Sequence, residues 1–199
     1  MPGSLIPYFW HTALDPVQAG RGALMWGEHI RPLAAAAAAW GVVRGAQVLV
    51  VDAANAFDPY RLVREARAAG LAPRYTLTRV QVTRAFTSHQ LVRLLEEELA
   101  RRLEPGHLVL VLGPVSLFYD EQVPLAERRR LFAKMTATLA AVKAQNPLLL
   151  IQPYLPRGAT NRHFGKMLRP VLDYLVEVGG KDSLPPRERR SLDFHLNWT

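Results

Sequence analysis

The chain has 199 residues, of which 49% are hydrophobic and 9% aromatic, and this length and composition predict one globular domain rather than a disordered tail. It contains no cysteine, which excludes a disulfide framework, a cysteine nucleophile, thiolate zinc sites and iron–sulfur clusters. The 25 Lys and Arg against 17 Asp and Glu give a net charge of +8, an excess that favours acidic partners, above all nucleic acid.

Strands alternate with helices along most of the chain. In chain order, the predicted elements are a helix over about residues 32–40, a strand over 47–51, a helix over 58–67, a strand over 76–82, a helix over 89–103, a strand over 108–112, a helix over 124–144 and a strand over 148–152. Pro32 suits the first turn of the first helix, and Gly41 is expected to end it. The pattern predicts an α/β fold, with a mostly parallel sheet covered by helices on both faces.

The short connections between these elements indicate a single domain over residues 1–199. Residues 1–21 form a lead-in and residues 22–178 the core. Residues 179–199 form a basic C-terminal segment, in which the alternation over 191–198 predicts an edge strand.

Residues 27–34 can be aligned with the phosphate-binding loop pattern GxxxxGK[ST], and we call this alignment the phosphate-loop frame. The side chains that bind phosphate and Mg²⁺ are absent from it. Gly27 takes the place of the first glycine, whereas Pro32, Leu33 and Ala34 stand where the second glycine, the lysine and the hydroxyl are needed. Leucine cannot neutralise a phosphate, alanine cannot ligate Mg²⁺, and proline removes a backbone N–H. The frame therefore predicts a degenerate site.

Four further segments resemble those of the RecA/RadA recombinase family in order and spacing. Residues 50–62 are similar to that family's strand ending in Asp, followed by Phe-x-Pro-x-Arg-Leu. Residues 80–91 resemble its V-x-R-A-[FY] segment with the following His-Gln. The strand over 108–112 looks like the family's metal-site strand, and 148–152 resembles the strand whose glutamine senses the γ-phosphate. The resemblance covers residues 22–155 and implies a RecA-like fold.

The departures from that family fall on its ATP machinery. Ala54 stands where the family has the glutamate that orients water, and Gly113 stands where it has the Mg²⁺ aspartate. ATP hydrolysis needs a charge clamp and a metal for the phosphates, so the resemblance implies a pseudo-ATPase, not an enzyme, with no cofactor and no metal. The predicted degenerate nucleotide site comprises Gly27, Pro32, Leu33, Ala34, Ala54, Gly113 and Gln152.

Two basic segments fall where the resembled family has its DNA loops. Arginine and lysine suit phosphates, and aromatic rings suit base stacking. The predicted DNA contacts are Arg157, Arg162, His163, Phe164 and Lys166 after the last core strand, and Arg128, Arg129 and Arg130 at the start of the long helix. A solvated basic loop and an ordinary charged helix face are the alternatives for these two groups.

These observations predict a non-catalytic accessory protein of DNA repair or recombination. We expect it to bind DNA, preferentially single-stranded, and a RecA-family recombinase or another repair protein is its expected protein partner. No run of about 18 apolar residues occurs and the first ten residues do not resemble a signal peptide, so no membrane association and a cytoplasmic location are expected. One alternative is an interaction module that scaffolds or caps an active recombinase, and another is a metal-dependent nuclease using Asp52 or Asp120.

Overall fold

One sheet organises the part of the chain that the computed structural model describes, which is residues 19–27, 31–155, 164–178 and 187–188. Its strands are β1 (Gly22–Gly27), β2 (Val48–Asp52), β3 (Val80–Arg84), β4 (Leu108–Leu112), β5 (Leu148–Pro153), β6 (Tyr174–Val178) and β7 (Arg187–Glu188). Their order is β3-β2-β4-β5-β1-β6-β7. The first six strands run parallel, and the short β7 lies antiparallel to β6.

Helices cover both faces of the sheet. One face carries α1 (Arg31–Val43), α2 (Pro59–Ala68) and α3 (Pro73–Arg79). The other carries α4, which is α-helical over Ser88–Arg93, π-helical over Leu94–Leu99 and α-helical over Ala100–Arg102, together with α5 (Leu125–Gln145) and α6 (Phe164–Met167). Side chains of successive strand residues point to opposite faces, so Leu110 joins the core under α1 and Val111 joins the core under α5. The predicted α/β fold class, with a mostly parallel sheet covered by helices on both faces, is thereby confirmed.

The first helix does not end at Gly41 as predicted but continues to Val43. A Cβ atom at Gly41 would lie 2.6 Å from a methyl of Leu108 and 3.0 Å from a methyl of Val48. Glycine at this position therefore lets the helix lie close against β2 and β4, and it is not a stop signal.

The strand predicted over residues 76–82 is wrong in its first half. Residues 73–79 form α3, and the strand begins only at Val80. Pro73 lies in the first turn of this helix, where proline is favoured, and the buried Thr76 donates from its hydroxyl to the carbonyl of Ala72. The alternation of Thr76 and Thr78 with apolar residues is typical of a strand. Pro73 in the first turn and the local hydrogen bonds nevertheless favour a helix.

Three strands were not predicted, β1, β6 and β7. β1 is six residues long and begins and ends with glycine, and β6 is five residues long and includes a tyrosine and a glutamate. The lead-in up to residue 18 and the edge strand predicted over 191–198 lie outside the described residues. The division of the chain into lead-in, core and C-terminal segment therefore stays a prediction.

Candidate functional site

The carboxyl ends of β1, β2, β4 and β5 meet at one edge of the sheet, because the four strands run parallel. In open α/β sheets this edge is where ligands bind. Here it carries Gly27, Asp52 with Ala54, Gly113, and Gln152. The structure thus brings together residues that the sequence assigned to a degenerate nucleotide site.

The carboxylate of Asp52 is fully buried and is used by the protein itself. It accepts hydrogen bonds from the backbone N–H groups of Ala54, Ala56 and Phe57, at 3.0 to 3.2 Å. The Nε of Arg84 lies 3.4 Å from the same carboxylate, and another nitrogen of that guanidinium donates to the carbonyl of Phe57. Asp52 and Arg84 therefore hold the loop after β2 closed, and no pattern in the sequence indicates this ion pair.

The buried amide of Gln152 fixes the loop that follows β4. Its Oε1 accepts from the backbone N–H of Val115 at 3.1 Å, and its Nε2 donates to the hydroxyl of Ser116 at 3.2 Å. The same Nε2 donates to the carbonyl of Pro153 at 2.8 Å. Both ends of the Gln152 amide are therefore engaged by the protein chain.

Gly113 and Ala54 lie against each other between these two loops. Gly113 has a φ of +66°, a conformation that residues with a side chain rarely adopt. A Cβ atom there would lie 2.8 Å from the Cβ of Ala54 and 2.8 Å from the hydroxyl of Ser116. Only very small residues fit this contact, and these are the two positions at which the resembled family has carboxylates.

The phosphate-loop frame is filled by core residues in the structure. Leu33 and Ala34 lie within α1 and are buried, and Pro32, at the second position of that helix, is half-buried. Gly27 ends β1 and pairs with Val178 of β6. Residues 28–30 lie outside the described part. The side chains at the lysine and hydroxyl positions thus contribute to the hydrophobic core.

The predicted DNA contacts after β5 divide into three groups. Arg157, Arg162 and His163 lie outside the described residues. Lys166 is exposed on α6. Phe164, which was predicted to stack on a base, is instead buried, with ring centroids 4.9 Å from Phe132 and 5.7 Å from Phe118. This prediction is corrected, because the ring is enclosed by other aromatic residues.

The three arginines at the start of α5 have different environments. Arg128 is buried and donates from its Nη1 to the carbonyl of Phe118 at 3.2 Å, so it is withdrawn from the predicted DNA contacts. Arg129 and Arg130 are exposed. Arg130 lies 3.7 Å from the carboxylate of Glu127, which is also 2.9 Å from the Nε2 of His89. Only Arg129 and Arg130 of this group face solvent.

Residues of the segment 80–91 have structural partners that the sequence alone did not reveal. The Oε1 of Gln90 accepts from the backbone N–H of Phe86 at 2.9 Å, and the hydroxyl of Thr87 caps α4 by accepting from the N–H of Gln90. His89 connects α4 to α5 through Glu127. The segment therefore joins β3 to α4 and α5.

Metal-ligating residues are not gathered in the part of the chain that the structure describes. No group of three His, Cys, Asp or Glu side chains is arranged to hold a metal ion there. One oxygen of Asp120 accepts from the backbone N–H of Gln122. Among the described helices, none is long and apolar enough to cross a membrane.

Comparison with known protein families gives a match to the family named Rad51 over residues 38–151, which is more than half of the chain. The matched region begins within α1 and ends within β5, so it includes Asp52, Ala54 and Gly113. The match confirms the resemblance to RecA-like recombinases and points to a role in DNA recombination or repair. This chain belongs to the Rad51 family.

Proposed function

We propose that this chain is a non-catalytic accessory protein of DNA recombination or repair, which binds DNA without binding or hydrolysing ATP. The single observation that carries the proposed lack of ATP hydrolysis is the contact between Gly113 and Ala54. It occupies the place where phosphoryl transfer would need carboxylates.

The neighbouring polar groups support the same conclusion. Phosphoryl transfer depends on cations and a metal that neutralise the phosphates. The carboxylate of Asp52 is taken up by backbone N–H groups and Arg84, and the amide of Gln152 by the loop after β4. Leu33 and Ala34 lie in the core at the lysine and hydroxyl positions. The edge of the sheet is held closed by the protein's own hydrogen bonds.

The proposed DNA contacts are the exposed cations Arg129, Arg130 and Lys166, with Arg157 and Arg162 from the sequence. The described residues on both sides of the segment 156–163 are anchored in the fold. Tyr154 donates its backbone N–H to the carbonyl of Gly27 at 3.2 Å, and its ring lies 5.2 Å from that of Trp26. Phe164 is anchored among aromatic rings. Both anchors are contacts between residues of the chain itself, which supports DNA binding that needs no ATP.

Fluorescence anisotropy with labelled single-stranded and duplex DNA tests the proposal, at two salt concentrations and with or without ATP and Mg²⁺. We expect binding that is tighter for single strands, falls steeply with salt because phosphate contacts release counterions, and is indifferent to ATP. Changing Arg157, Arg162 and Lys166 together to Ala is expected to abolish it without unfolding. ATP-dependent binding, or unchanged affinity of the triple variant, would contradict the proposal.

A second candidate function is an interaction module for an active recombinase, and the position of β3 as an outermost strand favours it. Among the described strands, β3 is the outermost on its side, and its Val82 is exposed. Phe86, just after the strand, is 64% exposed. A strand edge with exposed apolar side chains can pair with a strand of another protein.

This alternative is tested by mixing the chain with the ATP-hydrolysing recombinase of the same organism and following complex formation by size-exclusion chromatography. Val82→Lys, at the strand edge, is expected to prevent the complex, because a charged edge opposes strand pairing. Ala133→Lys, on the exposed side of α5, is the matched control. A complex that survives Val82→Lys, or that is never formed, argues against this function.

A further inference from the structure

The two helical faces of the sheet differ in charge. Residues 44–84, which include α2, α3 and β3, contain seven arginines and three acidic residues. Residues 88–145, which include α4 and α5 on the other face, contain eight basic and seven acidic residues. The positive excess of the described core therefore lies mainly on the face of α2 and α3.

The acidic residues of this face offset little of that charge at the surface. Asp52 is buried beside Arg84, and Glu65 is buried 3.2 Å from Arg61. Asp58 caps α2, because its Oδ1 accepts from two backbone N–H groups of the first turn. Two of the three acids are thus buried, and the third, Asp58, lies 4.0 Å from Arg64. Arg44, Arg67 and Arg74 are exposed.

Aromatic rings are interleaved with these arginines. Tyr60, Arg64 and Arg67 lie at i, i+4 and i+7 on α2, so they form one exposed stripe along the helix. Tyr60 is 83% exposed, and the side chain of Arg64 is 69% exposed. A tyrosine ring so open to water contributes little to the core.

Helix α3 follows α2 in the chain and packs against it on the same face of the sheet. It carries the exposed Arg74 and Tyr75, and Tyr75 is 42% exposed. The guanidinium of Arg79 lies 4.5 Å from the centre of the Tyr75 ring and donates to the carbonyl of Gly45, which holds that ring in place. Within the described residues, neither Arg67 nor Arg74 is in an ion pair.

We propose that the α2–α3 surface, defined by Tyr60, Arg64, Arg67, Arg74 and Tyr75, binds single-stranded DNA. The guanidinium groups contact phosphates, and the two tyrosine rings stack on bases. Single strands are favoured over duplexes because a base can stack on a protein ring only when its face is unpaired and open. The surface is separate in sequence from the segments around Arg129 and Lys166, so it adds a second binding surface and rests on the proposed DNA binding.

The test measures the affinity for labelled oligonucleotides of the variant Arg64→Gln/Arg67→Gln/Arg74→Gln. Its matched control is Arg93→Gln/Arg101→Gln/Arg102→Gln on α4, which removes the same charge from the other face. We expect the first variant to bind single-stranded DNA about tenfold or more weakly, with a salt dependence shallower by about 2 in the log–log slope, because each lost phosphate contact removes about 0.7. The control is expected to retain the slope of the unmodified protein.

The tyrosine contribution has its own variants. Tyr60→Ala is expected to weaken single-strand binding about fivefold or more, with little effect on duplex binding, whereas Tyr60→Phe retains the affinity because it keeps the ring. The exposure of Tyr60 makes both variants compatible with the fold. Equal effects of Tyr60→Ala on single strands and duplexes would contradict base stacking at this surface.

Three outcomes separate the inference from the proposed function. Equal weakening by the two triple-Gln variants would mean that total charge, not this surface, determines binding, and would overturn the inference. If the loop variant at Arg157, Arg162 and Lys166 loses binding while the α2–α3 variant keeps it, the inference fails and the proposed function stands. Absence of DNA binding by the unmodified chain at low salt would overturn both.

Discussion

Gly113 is a residue at which the closed edge of the sheet is sensitive to substitution. Its φ of +66° and its approach to Ala54 act together, because any side chain there meets both backbone strain and a collision. The family's carboxylate therefore cannot be restored at this position without moving the loop after β2.

The prediction at this position is that Gly113→Ala lowers the free energy of unfolding. Gly106→Ala is the matched control, because Gly106 has a φ of +85° but no atom near the position of a Cβ. Both variants carry backbone strain, and only the first adds the collision with Ala54 and Ser116, so we expect Gly113→Ala to be less stable than Gly106→Ala by about 1–3 kcal/mol. Urea denaturation gives the comparison, and equal stabilities would mean that the loops separate freely.

At the scale of one helix, α5 directs neighbouring arginines to opposite environments. Arg128 faces inward and donates to the carbonyl of Phe118, whereas Arg129 faces solvent. The sequence Arg128-Arg129-Arg130 contains no signal for this difference, because the orientation of α5 is set by apolar residues such as Phe132 and Leu139 that pack on the sheet. The same charge therefore has a structural role at one position and is available for binding at the next.

The corresponding prediction separates stability from binding. Arg128→Ala is expected to destabilise the fold by about 1–3 kcal/mol, because a buried carbonyl loses its donor. Arg129→Ala is expected to change stability by about 0.5 kcal/mol or less, as exposed substitutions usually do, while weakening DNA binding and reducing its salt dependence. Thermal unfolding and anisotropy on the two variants distinguish the roles. Weaker DNA binding by Arg128→Ala at a temperature where this variant is fully folded would show that Arg128 contributes to DNA binding.

Most elements could be predicted from the sequence because the central strands are buried on both faces. The apolar runs that form β2, β4 and β5 have no other stable environment in a chain of this size. β1 was missed, since a short run between two glycines has no such clear pattern. The strand predicted over residues 76–82 was half wrong because the helical start at Pro73 outweighs the alternation.

At the scale of the whole molecule, the sequence also predicted which residues meet, but not how they interact. Parallel strands bring Asp52, Gly113 and Gln152 to one edge whatever their chemistry. The hydrogen bonds that use up Asp52 and Gln152 depend on loop conformations that no local pattern encodes. Burial of Phe164 was missed for the same reason, because its aromatic neighbours come from distant segments.

The sheet continues past the matched region into β6, and Asp173 connects this addition to the rest of the fold. Its carboxylate accepts from the backbone N–H of Gly22 at 2.8 Å and from the ammonium of Lys143 at 2.9 Å, and Arg21 lies 3.6 Å away. Burial by itself raises the pKa of Asp173. The hydrogen bonds from Lys143 and Gly22 and the charges of Lys143 and Arg21 outweigh that effect, so the pKa lies below its ordinary value of 3.8.

A group whose pKa is lowered by folding stabilises the fold only while it is ionised. The contribution of Asp173 is therefore complete above its ordinary pKa of 3.8, and it is lost as the pH falls through the lower value of the folded state. We expect Asp173→Asn to lower the melting temperature at pH 7, with a difference from the unmodified protein that shrinks once the pH falls below about 4.

Other carboxyl groups titrate in both proteins and cancel in this difference. Ala137→Ser, at an exposed and uncharged position of α5, is the control and should show no such narrowing. A difference that stays constant down to pH 3 would mean that Asp173 acts through its shape and not its charge.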